Sequence, residues 1–166
     1  MNYADIKYCD VANGEGVRVS LFVSGCTHHC KECFNKEAWD FHYGNPFTQK
    51  EIDRILEYLK PNYIAGLSLL GGEPMEPVNQ EGILPLLRVV KQTYPEKNIW
   101  CYTGYLFDKD VLDKMCKESE VTKEIVSYLD IVVDGEFMID RKNLKINFRG
   151  SDNQRIIDVK KTLDAG

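Results

Sequence analysis

Three cysteines fall within eight residues of one another: Cys26, Cys30 and Cys33 form a C-x3-C-x2-C array flanked by Gly25, Thr27, His28, His29, Lys31 and Glu32. Thiolates at this spacing on one loop reach a common inorganic centre. Closed structural zinc sites and electron-transfer cubanes normally take four protein ligands, so three close cysteines leave one coordination position open to a substrate or cofactor. The array therefore reads as an iron–sulfur site with an open iron. Zinc, in a non-enzymatic zinc-binding interaction module, is the competing reading, with His42 as a fourth ligand; His28 and His29 are poorly placed to join their neighbour Cys30 at a single tetrahedral ion. Thiols that merely pack as small hydrophobes are a third reading. Cys9, Cys101 and Cys116 have no partner at ligand spacing and read as packing residues.

A second constellation is Gly71-Gly72-Glu73-Pro74, delivered by an apolar run. Glycine lets backbone approach a ligand without a Cβ in the way; the plainer reading is a strand-to-helix turn with an exposed glutamate. Thr103, Gly104, Asp134, Asn153 and Gln154 are weaker candidates, because loops are polar by default.

The elements that must position these groups follow from periodicity. Residues 17–23 are β-branched and apolar, a strand running straight into Ser24-Gly25-Cys26. Thr48 and Glu51 make a capping box ahead of Ile52, Ile55, Leu56 and Leu59 at helical spacing, with Pro61 as the stop. Residues 64–70 form a second strand, and Ile83, Leu84, Leu87, Val90 and Tyr94 mark a helix that is irregular near Pro85. A third strand spans 99–102. Two short helices follow near 110–117 and 123–129, then a strand over 131–133, a strand around 145–148 and extended chain over 155–159. Strands alternating with helices predict parallel pairing with right-handed crossovers. The expected architecture is α/β: a partial (β/α) barrel or open, mostly parallel sheet, too short to be a closed eight-fold barrel of about 250 residues. Ligands of such sheets gather at the carboxyl ends of the strands, where the cysteine and glycine segments both lie.

A chain of 166 residues with 43% hydrophobic and 28% charged residues is long and apolar enough for one core, so a single domain over 1–166 is expected and wholesale disorder is excluded. The net charge of −5 lacks the basic excess of a nucleic-acid binder. No run approaches the roughly 20 apolar residues that span a bilayer, and the first residues do not resemble a secretory signal. A cytoplasmic location, without membrane or nucleic acid as partner, is the expectation.

Taken together, the cysteine loop after the first core strand and the Gly71-Gly72-Glu73-Pro74 turn resemble the radical S-adenosylmethionine (SAM) enzymes. Asn13-Gly14-Glu15-Gly16-Val17-Arg18, Asn35, Trp39, Trp100-Cys101-Tyr102-Thr103-Gly104-Tyr105, Val132-Val133-Asp134-Gly135 and Arg149-Gly150-Ser151-Asp152-Asn153-Gln154, in that order, narrow the resemblance to the glycyl-radical-enzyme activases that serve anaerobic ribonucleoside-triphosphate reductase. The resemblance implies a radical SAM-type partial barrel and a 4Fe-4S cluster on Cys26, Cys30 and Cys33 with SAM on the fourth iron. It further implies Gly71, Gly72 and Glu73 at the SAM amino group, Glu32, Cys33 and Phe34 beside the adenine, the reductase as protein substrate, and a reduced flavodoxin or similar electron donor. Activation of another glycyl-radical enzyme, or a small-molecule radical SAM reaction, is the neighbouring possibility. Glu32 stands where the wider family usually has an aromatic residue, with Phe34 after the cysteine instead; Glu15 stands where proline is frequent.

Overall fold

The computed structural model describes residues 1–11, 14–25, 44–135 and 154–164. In chain order the elements are β1 (Asn2–Asp10), β2 (Val17–Val23), β3 (Asn45–Pro46), α1 (Gln49–Leu59), β4 (Ile64–Gly71), α2 (Pro77–Thr93), β5 (Asn98–Tyr102), a π-helical segment (Phe107–Met115), α3 (Cys116–Glu118), α4 (Glu120–Tyr128), β6 (Ile131–Asp134), β7 (Arg155–Asp158) and α5 (Val159–Asp164). The strands form one sheet in the order β3-β1-β2-β4-β5-β6-β7. Its four central strands, β2, β4, β5 and β6, pair in parallel. The flanks are antiparallel, since β1 runs against β2 and β3, and β7 runs against β6. The sheet is thus mixed around a parallel centre, as the α/β expectation has it, and no pairing among the described residues closes it into a barrel.

The parallel centre has the physical origin expected of it. Strands linked by helices need a crossover, and here α1, α2 and α4 supply it. Val19, Leu21 and Val23 of β2, Leu67 and Leu69 of β4, Ile99 and Cys101 of β5, and Val132 of β6 alternate along their strands and join one core with Ile52, Ile55 and Leu59 of α1 and Ile83, Leu84, Leu87 and Val90 of α2. Full burial of each such aliphatic side chain stabilises by about 1.5–3 kcal/mol. At the start of α1 the Glu51 carboxylate accepts from the Thr48 N–H at 3.3 Å and from its hydroxyl at 2.5 Å. Pro85 lies inside α2, whose Pro77 occupies the first turn, where no amide is needed.

The opposite, alternate set of strand residues mixes polar groups with apolar ones such as Trp100 and Val133. Arg18 is completely buried; its Nε donates to Ser68 Oγ at 2.8 Å, its other nitrogens donate to the carbonyls of Glu15, Leu67 and Asn98, and its guanidinium lies 5.4 Å from the Trp100 ring centroid. Burial pulls its pKa down to about 10, still far enough above neutrality to keep the charge. Ser20 of the same strand donates to Asp10 at 2.6 Å.

Beyond β5 the chain winds with i to i−5 bonds: the Val111 N–H donates to Leu106 O and the Cys116 N–H to Val111 O. The helix expected near 110–117 is divided between this wider coil, which ends at Met115, and α3. The helix expected over 123–129 begins three residues earlier, at Glu120, where the Ser119 side chain accepts from the Thr122 N–H. The expected strand around 145–148 lies outside the described residues, and the extended stretch from 155 ends at Asp158, with Val159 already helical. No helix among the described residues is long and apolar enough to cross a membrane.

Met1 and Asn2, at the entry to β1, each hold a neighbouring segment. The Ser24 N–H donates to Asn2 O at 3.0 Å just after β2, and the Phe47 N–H donates to Met1 O at 3.0 Å just after β3. Both flanks of the segment 26–43 are therefore fastened to the same short stretch. Gly44, with φ +81°, is obligatory there, because a Cβ would lie 2.0 Å from Tyr3 O.

Candidate functional site

Cys26, Cys30 and Cys33, with Glu32, Phe34, His28, His29, His42, Asn35, Trp39, Asn13 and Asn153, lie outside the described residues. What the structure describes is the platform from which the cysteine segment departs. β2 and β4 are in parallel register with Val23 opposite Gly71, so their carboxyl ends leave the sheet side by side. The Gly72 N–H donates to Val23 O at 2.8 Å, and the Glu73 N–H donates to Gly25 O at 2.7 Å. Gly25 is the residue before Cys26, so the glycine turn holds the last residue of the cysteine segment's approach.

Two side chains reinforce this junction. Asn79, fully buried in the first turn of α2, donates its Nδ2 to Ser24 O at 3.0 Å and to Glu73 O at 2.9 Å, and among the described residues its buried Oδ1 has no hydrogen-bond partner. Glu73 is only 1% exposed, so the turn is not the ordinary one with a solvated glutamate. Its Oε2 accepts from the Met75 N–H at 2.9 Å and from the Thr103 hydroxyl at 2.7 Å, and its Oε1 accepts from the Gly104 N–H at 2.7 Å. The carboxylate thus spans from the end of β4 to the end of β5. Below it in the core, burial and the Glu73 charge raise the Cys101 thiol pKa well above its ordinary value, so this cysteine stays a thiol. Cys9 and Cys116 are half-buried free thiols packed against the core. Among the described residues no cluster of His, Cys, Asp and Glu is arranged to hold a metal.

Gly71 and Gly72 remain half-exposed. Gly71 has φ +114°, and a Cβ there would sit 2.5 Å from Val23 O, so the strand ends can approach only with glycine at this position.

Further along the same edge, Asp134 ends β6 fully buried. It accepts from the Phe107 N–H at 2.7 Å and is paired with the Arg155 guanidinium, which also reaches Asp108. The two carboxylates hold Arg155 charged more firmly than usual, and Arg155 in turn keeps the Asp108 carboxyl below its ordinary range. Gln154 donates to Gly135 O at 3.0 Å. Thr103, Gly104, Asp134 and Gln154, all weak candidates by sequence, are thereby placed in the hydrogen bonding that joins the strand ends. Tyr102 ends β5 on the Arg18 side of the sheet; among the described residues its hydroxyl is buried without a hydrogen-bond partner, and burial pushes its pKa up. Asn79 is the residue that motif reading missed; the only signal was an amide pair, Asn79-Gln80, on the otherwise apolar side of a helix that directly follows the turn.

A family model described as "4Fe-4S single cluster domain" matches residues 12–157. The chain is 43% identical over 158 residues to a protein of Enterobacteria phage T4 named anaerobic ribonucleoside-triphosphate reductase-activating protein, covering 94% of this chain and 93% of the relative. Proteins of the same name from Pasteurella multocida, at 40% identity over 94% of this chain and 96% of the relative, and from Escherichia coli K12, at 38% over 93% and 96%, are similarly close. No solved structure gives a significant match.

Proposed function

From the premise that the chain belongs to the anaerobic ribonucleoside-triphosphate reductase-activating proteins, with their 4Fe-4S single-cluster domain, we propose that it is a radical SAM activase of that reductase. A reduced cluster with SAM on its open iron supplies reductive cleavage of the carbon–sulfur bond, giving methionine and a 5'-deoxyadenosyl radical that takes a hydrogen atom from a glycine of the partner. In this reading Cys26, Cys30 and Cys33 hold the cluster and carry the catalysis as its ligands. Gly71, Gly72 and Glu73 receive the SAM amino group through the turn, and Glu32, Cys33 and Phe34 flank the adenine. The single domain, with the sheet as a partial barrel, works in the cytoplasm with a reduced flavodoxin or similar protein as electron donor.

The observation that carries the reading is the pairing of strand ends. The residue immediately before Cys26 is hydrogen-bonded to the turn that ends the neighbouring strand, and that turn offers half-exposed backbone with no Cβ at Gly71 and Gly72. These residues fit the proposed group: a three-cysteine array leaves one iron free, and the bare backbone beside its point of departure admits a chelating amino acid. The protein's contribution is to hold the reactants together and keep water away, while the cofactors carry the hard chemistry.

The test is anaerobic reconstitution with iron and sulfide, addition of SAM, a reductant and the reductase, and a search for 5'-deoxyadenosine and for a glycine-centred doublet by electron paramagnetic resonance. Both signals are expected. Iron uptake without SAM cleavage would overturn the proposal, and SAM cleavage without a doublet on the reductase would redirect it to another substrate.

A further inference from the structure

We infer that Thr103 is a positioning residue for the amino-acid end of SAM, acting through the Glu73 carboxylate on the backbone of the Gly71–Glu73 turn; this rests on the function proposed above.

Among the described residues, Glu73 links the end of β2, the approach to α2 and the segment after β5. Its N–H holds Gly25 at the end of β2, its Oε2 takes the Met75 amide at the approach to α2, and the same oxygen takes the Thr103 hydroxyl after β5, while Oε1 takes the Gly104 amide. The carboxylate is turned into the protein, so its contribution is to fix the turn against β5. Thr103 is itself held: 5% exposed, its N–H donates to Val133 O at 2.9 Å and its Oγ1 accepts from the Tyr105 N–H at 3.1 Å. A hydroxyl donating to a buried carboxylate is a strong, charge-assisted bond. The link therefore transmits the rigidity of the β5–β6 edge to backbone atoms two residues from Gly71. Binding groups need to be held within about 0.5 Å of their productive positions; without the Thr103 hydroxyl the turn keeps the Gly104 amide as its bond to the β5 side and loses the second, side-chain one.

The distinguishing variants are Thr103→Val, which keeps the shape and loses the hydroxyl, and Thr103→Ser, which keeps the hydroxyl. In the anaerobically reconstituted full chain, Thr103→Val is expected to weaken equilibrium SAM binding about tenfold, equivalent to ~1.4 kcal/mol, with unchanged iron content and a turnover at saturating SAM within about twofold of the wild type. Thr103→Ser is expected to restore the affinity. Hydrogen–deuterium exchange without SAM provides a readout separate from chemistry: the Gly72, Met75 and Gly104 amides should exchange faster in Thr103→Val and at the wild-type rate in Thr103→Ser. Unchanged exchange and affinity in Thr103→Val would overturn the inference. Should that variant not fold, Thr103→Ser decides, since a folded serine variant with weakened binding shows that the hydroxyl is not the operative group. A wild-type chain that takes up iron and fails to bind SAM refutes the proposed function instead, and the exchange pattern still reports on the clamp.

Discussion

Replacing Gly71 by alanine tests the platform directly. The backbone there has φ +114°, and the added Cβ would meet Val23 O at 2.5 Å, Val23 N at 2.6 Å and the Phe22 carbonyl carbon at 2.9 Å. All three are main-chain atoms of β2 and cannot rotate away. Non-glycine residues in such backbone regions cost about 1–3 kcal/mol, and the closest contact lies about 1 Å inside the ~3.5 Å optimum, so β2 and β4 must separate at their carboxyl ends. That separation also stretches the 2.8 Å bond from the Gly72 N–H to Val23 O, which contributes about 1 kcal/mol. The total is about 3 kcal/mol, or ~6–12 °C in melting temperature for a chain of this size. Thermal melts followed by circular dichroism under anaerobic conditions would measure it, together with iron per chain after reconstitution. Because the displaced segment leads into Cys26, iron loading should fall as well. Gly66→Ala, whose Cβ would lie 1.9 Å from Asn98 O at the far end of β4, should destabilise at least as much while sparing iron in the folded fraction. A Gly71→Ala protein melting within about 2 °C of wild type would refute the steric argument.

Asn79→Asp should melt well below wild type, because it presents a carboxylate to the Ser24 and Glu73 carbonyls. Burial beside two acceptors raises the folded-state pKa of the introduced acid, so the deficit should be small near pH 4 and grow as pH rises to 8; a pH-independent deficit would contradict this. On the outer surface, bonds from Arg88 and Tyr128 hold the Glu124 carboxyl at about 2, against an ordinary value of 4.5. A depressed carboxylate stabilises the fold above its unfolded pKa and loses that contribution as pH falls from about 4.5 to about 2. Arg88→Met should therefore raise the Glu124 pKa in a carbon-detected carboxyl titration, and an unmoved titration would show that the pair does not persist in solution. Cys26→Ala, Cys30→Ala and Cys33→Ala should each abolish SAM cleavage, whereas Cys116→Ala, a half-buried thiol at the start of α3, should retain most of it; full cleavage in any of the first three would count against the cluster assignment.

The parts of the fold that were legible in sequence are those where local chemistry and tertiary packing agree. Residues 17–23 are central and, Arg18 and Ser20 apart, apolar with three β-branched valines, and the strand has those bounds. Thr48 and Glu51 start a helix because their bonds are made within three residues. β1 carries no clear sequence signal, because its pairing with β2 shifts register between Tyr3 and Asp5 and again between Lys7 and Asp10, which breaks the two-residue alternation that marks a strand. The antiparallel course of β7 was equally hidden, since strand direction at an edge depends on how the chain returns and not on local composition. The π-helical winding of 107–115 uses the same apolar residues as an α-helix and differs only in which carbonyl each amide selects. At the candidate site the glycine pair stands out in the sequence, the cysteines lie outside the described residues, and Asn79 acquires its place from carbonyls 55 and 6 residues away. Thr103 was noticed only as a polar residue at a strand end; its bond to a carboxylate 30 residues earlier gives it meaning.

The double fastening at β1 bears on how this protein is handled. The 18 residues numbered 26–43 are flanked on both sides by bonds to Met1 and Asn2, and bringing together the ends of a span that long otherwise costs about 2–3 kcal/mol of chain entropy. Trimming the first few amino acids would release both tethers in one stroke, so a shortened version should load metal poorly even with every thiol intact.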